Sequence, residues 1–205
     1  MAVLVGVLTR GFVSVQWALA FRNLQLPDGS EIFVVAGLPY DHARNSVVRR
    51  MMKSHFEWLL FLDDDVIPPS DVFRRLSSHR REIVSGLYFT RMGKIQPTVF
   101  REAQPLPYAV DPCPPDKLLE VDLVPGGCLL IHRRVLEKMA PPWFEWLIHR
   151  EDLPSGERVG EDCFFCRKAR EAGFGIYADT SVACAHVGLG YSDTDGRFLP
   201  LGAPS

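Results

Sequence analysis

The stretch Trp58-Leu59-Leu60-Phe61-Leu62-Asp63-Asp64-Asp65-Val66-Ile67-Pro68-Pro69 limits what this chain can fold into more than any other. Its leading apolar residues do not alternate with polar ones, the pattern of a strand buried on both faces of an α/β sheet. Three carboxylates follow at the carboxyl end of that strand, where open α/β sheets collect their ligands. Pro68 and Pro69 then stop the strand. Crowded like charges repel, so a hard divalent cation bridging them to phosphate is their natural partner. In an extended chain Asp63 and Asp65 point to one side and Asp64 to the other. Asp63 and Asp65 are therefore the first candidates for metal and donor binding. Capping of a turn and of a helix beginning near Ser70 is the competing reading, and three acids after a fully apolar strand favour the site.

A chain of 205 residues is long enough for one substantial core, so one domain over residues 1–190 is expected, with 191–205 as a tail or lid rich in Gly, Pro and Asp. Apolar residues at 47% and charged residues at 23% are ordinary for a globular protein, and no apolar run approaches the roughly 20 residues of a membrane span. The net charge of -2 does not announce a nucleic-acid binder. Five cysteines, without a recognisable leader, are expected to be reduced thiols in a cytoplasm. A zinc site built on Cys163 and Cys166 would need Cys184 and His186 as well, and buried thiols are the simpler reading.

In chain order, strands are expected at Ala2 to Leu8, Glu31 to Ala36, Glu82 to Phe89, Leu118 to Val124, Cys128 to His132, Gly175 to Ala178 and Val182 to Val187. Helices are expected at Val13 to Leu24, at Asp41 to Met52 with Asp41 as N-cap, and at Ser70 to His79. Two more follow at Arg133 to Met139 and Cys163 to Ala172. The proline-rich stretch Met92 to Asp116 reads as irregular, and Glu145 to Glu157 as a mobile loop.

Together the Asp63-Asp64-Asp65 triplet, Ala43-Arg44-Asn45, Gly86-Leu87-Tyr88, Gly126-Gly127, Pro142-Trp143-Phe144, Gly160-Glu161-Asp162 and Ala185-His186 resemble segments of the GT-A fold glycosyltransferases. The likeness is to their short family 2-like members of bacterial and phage genomes, whose acidic marker is the Asp-X-Asp motif. Each motif is weak alone, and their joint order along the chain carries the resemblance. It implies a Rossmann-like domain with a mixed, mostly parallel sheet. It further implies a nucleotide-sugar dependent transferase, with a UDP-sugar as the expected donor and a host-cytoplasmic setting for a phage-encoded enzyme.

By the same resemblance, Thr9 and Arg10 would touch the nucleotide, while Arg44, Asn45, Asp63, Asp64, Tyr88 and Arg91 would face the donor. Gly126 and Gly127 would lie under the donor sugar. Trp143 and Phe144 would lie near the acceptor, where Trp143 and Trp146 either stack on a sugar or finish the core. Asp162 would be the general base, with Glu161 as its understudy. His186 would join Asp63 and Asp65 on the metal, a donor set that suits Mn²⁺, with Mg²⁺ as the alternative. The acceptor is open among polysaccharide, lipid-linked sugar, protein and hydroxylated DNA base. The rival readings are a nucleotidyltransferase, which also clamps phosphate with metal-bound carboxylates, and a silent sugar- or nucleotide-binding module.

Overall fold

The computed structural model describes residues 2–91, 95–102, 107–146, 160–188, 190–192 and 198–200. Its strands in the first half are β1 (Val3–Thr9), β2 (Glu31–Ala36), β3 (Trp58–Asp63), β4 (Val66–Ile67) and β5 (Ile83–Leu87). Its helices are α1 (Val15–Arg22), α2 (Tyr40–Met52), α3 (Val72–Ser78), α4 (Arg133–Lys138) and α5 (Glu161–Glu171). The later strands are β6 (Phe100–Arg101), β7 (Tyr108–Ala109), β8 (Leu118–Val121), β9 (Cys128–His132), β10 (Ile176–Ala183), β11 (Ala185–Val187), β12 (Gly190–Ser192) and β13 (Phe198–Pro200).

The apolar runs become the centre of a seven-stranded sheet ordered β2-β1-β3-β9-β5-β10-β8. Because side chains alternate across a strand, each run feeds a core on both faces. Leu59 and Phe61 join Leu4, Leu8, Val47 and Phe165 on the side of α2, α4 and α5. Trp58, Leu60 and Leu62 join Val3, Val5, Val7, Trp17 and Leu76 on the side of α1 and α3. The chain is thus a mixed α/β fold, a sheet between two helical layers.

The sheet is less parallel than expected. β1 runs parallel to β2 and to β3, and β10 parallel to β5, but β9 is antiparallel to both its neighbours and β8 is antiparallel to β10. A run apolar on both faces reports burial, not direction, and β9 has that run in an antiparallel setting.

Other boundaries moved for local reasons. Helix α2 begins at Tyr40 after Pro39, and Asp41 lies in its first turn with Oδ1 accepting from the His42 N–H instead of capping. The two expected closing strands are one continuous β10 followed by β11. The strand from Leu118 ends at Val121, because Asp122 and Leu123 turn to bond Phe100. Within the proline-rich stretch, β6 and β7 form a small antiparallel pair. Backbone of the expected tail adds β12 and β13 to β11. The expected loop lies almost wholly outside the described residues.

A second, four-stranded sheet ordered β13-β12-β11-β4 decides the geometry of the acidic strand end. β4 follows the triplet directly and pairs antiparallel with β11, with Val66 opposite His186. The Val187 N–H also donates to the Asp65 carbonyl at 2.7 Å. Two pieces of chain far apart in sequence are held side by side by backbone bonds.

Candidate functional site

At the carboxyl ends of β1 and β3 lies a cleft of about 320 Å³ walled by Arg10, Phe12, Val13, Ser14, Tyr40, Asp64, Asp65, Arg91, Val187 and Gly188. Two acids and two arginines line it. The Arg10 N–H donates to Asp64 Oδ2 at 3.2 Å, so the β1 turn is tied to the triplet. Thr9 builds that turn and does not line the cleft: its Oγ1 accepts from the Gly11 N–H at 3.0 Å, where Gly11 has a φ of 110° that favours glycine.

Asp65 stands at the centre of the charges. Its Oδ2 receives Arg91 Nη1 at 2.5 Å and faces His186 Nε2 at 3.8 Å. Burial pushes the Asp65 carboxyl up, but the facing His186 and the Arg91 guanidinium outweigh it and hold the group below the ordinary carboxylate range. His186 Nδ1 lies 2.8 Å from the Phe89 carbonyl, which can only accept, so Nδ1 carries a proton and donates there. In the neutral ring the lone pair of Nε2 is thereby aimed at Asp65. A histidine oriented through its other nitrogen onto a backbone carbonyl is the usual support of a metal ligand.

Asp63 points elsewhere. Its Oδ2 accepts from Arg44 Nη2 at 2.8 Å, and Arg44 gives Nε to Glu161 Oε1 and Nη1 to the Gly126 carbonyl, each at 3.1 Å. The guanidinium lies against the rings of Phe61 and Phe144, 5.1 and 5.9 Å from their centroids. Arg44 is only 2% exposed. Burial works against its charge, and Asp63 and Glu161 more than restore it, leaving its pKa above the ordinary value.

One guanidinium between two buried carboxylates leaves negative charge in excess. Burial accordingly lifts the Asp63 and Glu161 carboxyls despite Arg44. Asp63 Oδ1 is buried without a hydrogen-bond partner among the described residues. Asp162 adds its own charge to this cluster, raising Asp63 and Tyr88. Asp162 is half-buried, with Oδ1 accepting the Cys163 N–H at 2.8 Å, whereas Glu161 is engaged with Arg44.

Two side chains of this set could hold a divalent cation. Asp65 and His186 offer one carboxylate and one oriented imidazole, while Asp63 Oδ1 is left without a hydrogen bond among the described residues. No group of three metal-ligating side chains occurs among the described residues. A cation here would complete its shell with water or with phosphate oxygens, the habit of Mg²⁺ and Mn²⁺ at phosphate sites.

The other expected donor and acceptor contacts fall inside the protein. Asn45 Oδ1 accepts from the N–H groups of Trp143 and Phe144, at 3.0 and 3.3 Å, while Nδ2 donates to the Phe144 and Asp41 carbonyls. It clamps the Trp-Phe segment against α2. Trp143 is buried with Nε1 on the Leu136 carbonyl, and Phe144 is stacked on Phe165, so these two rings finish the core. Trp146 is half-buried.

The glycine pair makes room for protein side chains. A Cβ on Gly126 would fall 2.4 Å from Arg44 Cζ, and one on Gly127 would fall 2.5 Å from the Tyr88 hydroxyl. That hydroxyl accepts the Gly127 N–H at 3.1 Å, and the Tyr88 ring meets His186 edge to face. Tyr88 therefore supports His186 from within the core and is 5% exposed.

Sequence reasoning passed over Phe12, Val13, Ser14 and Tyr40. Tyr40 sits at the start of α2, where burial and the charges of Asp63 and Asp65 raise its hydroxyl, partly offset by Arg10. The available signal was position: each follows the carboxyl end of a strand. The cysteines divide between the two cores, Cys163 and Cys166 on one face of the sheet and Cys128 and Cys184 on the other, so they share no zinc site. All five thiols are free, and burial pushes Cys166 up to about 12.

Neither a family model nor a curated protein matches this sequence. Among solved structures, the chain is similar to the crystal structure of A197 from STIV, with a TM-score of 0.68 and 19% identity over 100% of this chain and 96% of that one. The two share a fold over essentially their whole lengths. No helix among the described residues is long and apolar enough to cross a membrane.

Proposed function

We propose that this protein is a metal-dependent glycosyltransferase of GT-A type, moving a sugar from a nucleoside diphosphate sugar to a hydroxyl acceptor. The observation that carries this reading is that His186 faces Asp65 at 3.8 Å just past the carboxyl end of β3, beside a cleft that Asp65 lines together with Asp64, Arg10 and Arg91. Acids and arginines in one cleft, with an oriented imidazole facing one of the acids, are groups that a diphosphate and its cation require.

In this mechanism Asp65 and His186 would hold Mn²⁺, or Mg²⁺ in its place, with Asp63 lending charge. When bound, the ion supplies charge neutralisation for the departing diphosphate. Arg91 and Arg10 grip phosphate oxygens, and Phe12, Val13 and Tyr40 wall the nucleotide. Asp162 takes the proton of the acceptor hydroxyl as its oxygen forms a bond to the anomeric carbon and the bond from that carbon to the diphosphate breaks. Direct displacement inverts the anomeric configuration. Glu161 serves the same step only indirectly, by keeping Arg44 in place.

A thermal-shift panel of nucleoside diphosphates and nucleotide sugars, each with Mn²⁺ and with chelator, tests the reading, since a ligand of the native state raises the melting temperature. A metal-dependent shift with one diphosphate, lost in Asp65→Ala, supports it and identifies the base. A response to triphosphates alone turns the assignment to a nucleotidyltransferase.

A further inference from the structure

Large apolar side chains left exposed by this fold are not scattered. Among the described residues they are Phe12 (78%), Val13 (41%), Val15 (72%), Leu19 (54%), Ile32 (48%), Val34 (55%) and Leu38 (52%), all within one stretch of chain.

The register explains the gathering. β1 and β2 are parallel with Val5 opposite Ile32 and Val7 opposite Val34, so these four share one face of the sheet. Over β1, α1 covers that face: Trp17 packs with Val3, Val5 and Val7, and its indole N–H reaches the Asp63 carbonyl of β3 at 2.9 Å. Anchored toward β3 and β4, the helix leaves the edge strand β2 bare. The other face of β2 is served by α2, against which Phe33 and Val35 pack. α1 in turn carries Val15 and Leu19, one turn apart on one side of the helix, and both are exposed. A helix stripe lacks a surface and a sheet face lacks a helix.

The area suffices for a stable contact. At about 150–200 Å² for a fully exposed Phe and about 60–120 Å² for a fully exposed Val, Leu or Ile side chain, these residues present roughly 300–550 Å² of apolar surface per chain. That matches the ~300–600 Å² of the largest patch on a typical monomer, and because apolar area is only about 56–65% of an interface, two copies facing each other would bury on the order of 1,000–1,800 Å² in all, the range of a specific interface. Charge on β2 does not oppose the contact: Glu31, its single charged residue, is held by Arg50 at 2.6 Å.

We propose that this face binds a second copy of the chain about a two-fold axis, α1 of each copy lying over β2 of the other. Val15 and Leu19 then cover Ile32 and Val34 reciprocally, and each copy completes the helical layer that its partner lacks. Phe12 and Val13 belong both to this face and to the cleft wall, so the second copy stands at the mouth of the cleft.

Sedimentation velocity of the full chain from about 1 to 100 µM is the test, a range that spans ordinary dimer affinities. The wild type should sediment as a dimer, while Leu19→Glu and Val34→Lys, both exposed and expected to keep the wild-type circular dichroism, should each sediment as monomers. Mixing the two variants should restore a dimer, because one half of the interface then sets the introduced carboxylate against the introduced ammonium and the other half is native. A wild type that is monomeric at 100 µM overturns the proposal, including one that instead co-sediments with lipid vesicles. Dimers that survive both substitutions, or that the mixture fails to restore, also overturn it.

Discussion

Arg91 and His186 converge on one oxygen: Asp65 Oδ2 takes Arg91 Nη1 at 2.5 Å and faces His186 Nε2 at 3.8 Å. The guanidinium neutralises the carboxylate that a cation would need, and it also donates to the Val187 carbonyl at 2.6 Å. Arg91→Ala is therefore expected to tighten Mn²⁺ binding without nucleotide, by about two- to fivefold, the order of one partly exposed ion pair. The same substitution should weaken nucleoside diphosphate binding. The spin-resonance signal of free Mn²⁺ measures the first effect and calorimetry the second; equal Mn²⁺ affinity in both proteins would rule out the competition.

Arg44 is a structural cation. Substituting Arg44→Met leaves Asp63 and Glu161 buried without their counter-charge, so a loss of about 3–5 kcal/mol is expected in urea unfolding. Gly126→Ala, which sets a methyl group against the Arg44 guanidinium, should destabilise by about 1–3 kcal/mol. An Arg44→Met protein of wild-type stability would contradict the burial argument.

Asp162→Asn separates a base from a binding group. Since Oδ1 meets the Cys163 N–H, the amide can keep this contact and the fold. Turnover should fall by about 10²–10⁴-fold, the usual contribution of a general base, with donor affinity within about twofold. Unchanged turnover would remove Asp162 from the chemistry. Retention of the donor's anomeric configuration in the first-formed product would remove direct displacement.

Acid stability should depend on Asp179, whose Oδ2 lies 2.7 Å from His79 Nε2 and whose Oδ1 accepts from Ser181. Burial raises this carboxyl, but the bonds from His79 and Ser181 outweigh it and hold it below the ordinary value of 3.8. The unfolded chain thus takes up this proton first. The contribution is complete above about pH 5 and is lost as pH falls through the lower folded value. The stability gap between wild type and Asp179→Asn should therefore be about 1.5–3 kcal/mol near neutrality and shrink toward about pH 3. A gap independent of pH would assign the effect to packing.

Residues 58–65 announced by themselves both a central strand and an acidic end, because an apolar run without alternation can be satisfied only inside a sheet covered on both faces. Cys128 to His132 was legible for the same reason, and α5, expected from Cys163, begins two residues earlier at Glu161 with the acids in its first turn. Arg44 was not. An arginine at a helix start reads as surface or ligand-facing until Asp63, Glu161, Phe61 and Phe144 are known to surround it, and those come from other parts of the chain. Asn45, Trp143 and Phe144 likewise look available in the sequence and are consumed by one another in the core.

What this sequence determined alone was composition along the chain: which segments had to be buried, and which carboxylates would stand at a strand's end. What only the tertiary structure decided was which carboxylate faces which partner. Asp63 and Asp65 differ by two positions, yet one is drawn inward by Arg44 and the other is turned to the cleft by the pairing of β4 with β11. Burial follows from local hydrophobicity, whereas pairing depends on backbone bonds and charges contributed by other elements, α2 for Asp63 and the distant β11 for Asp65.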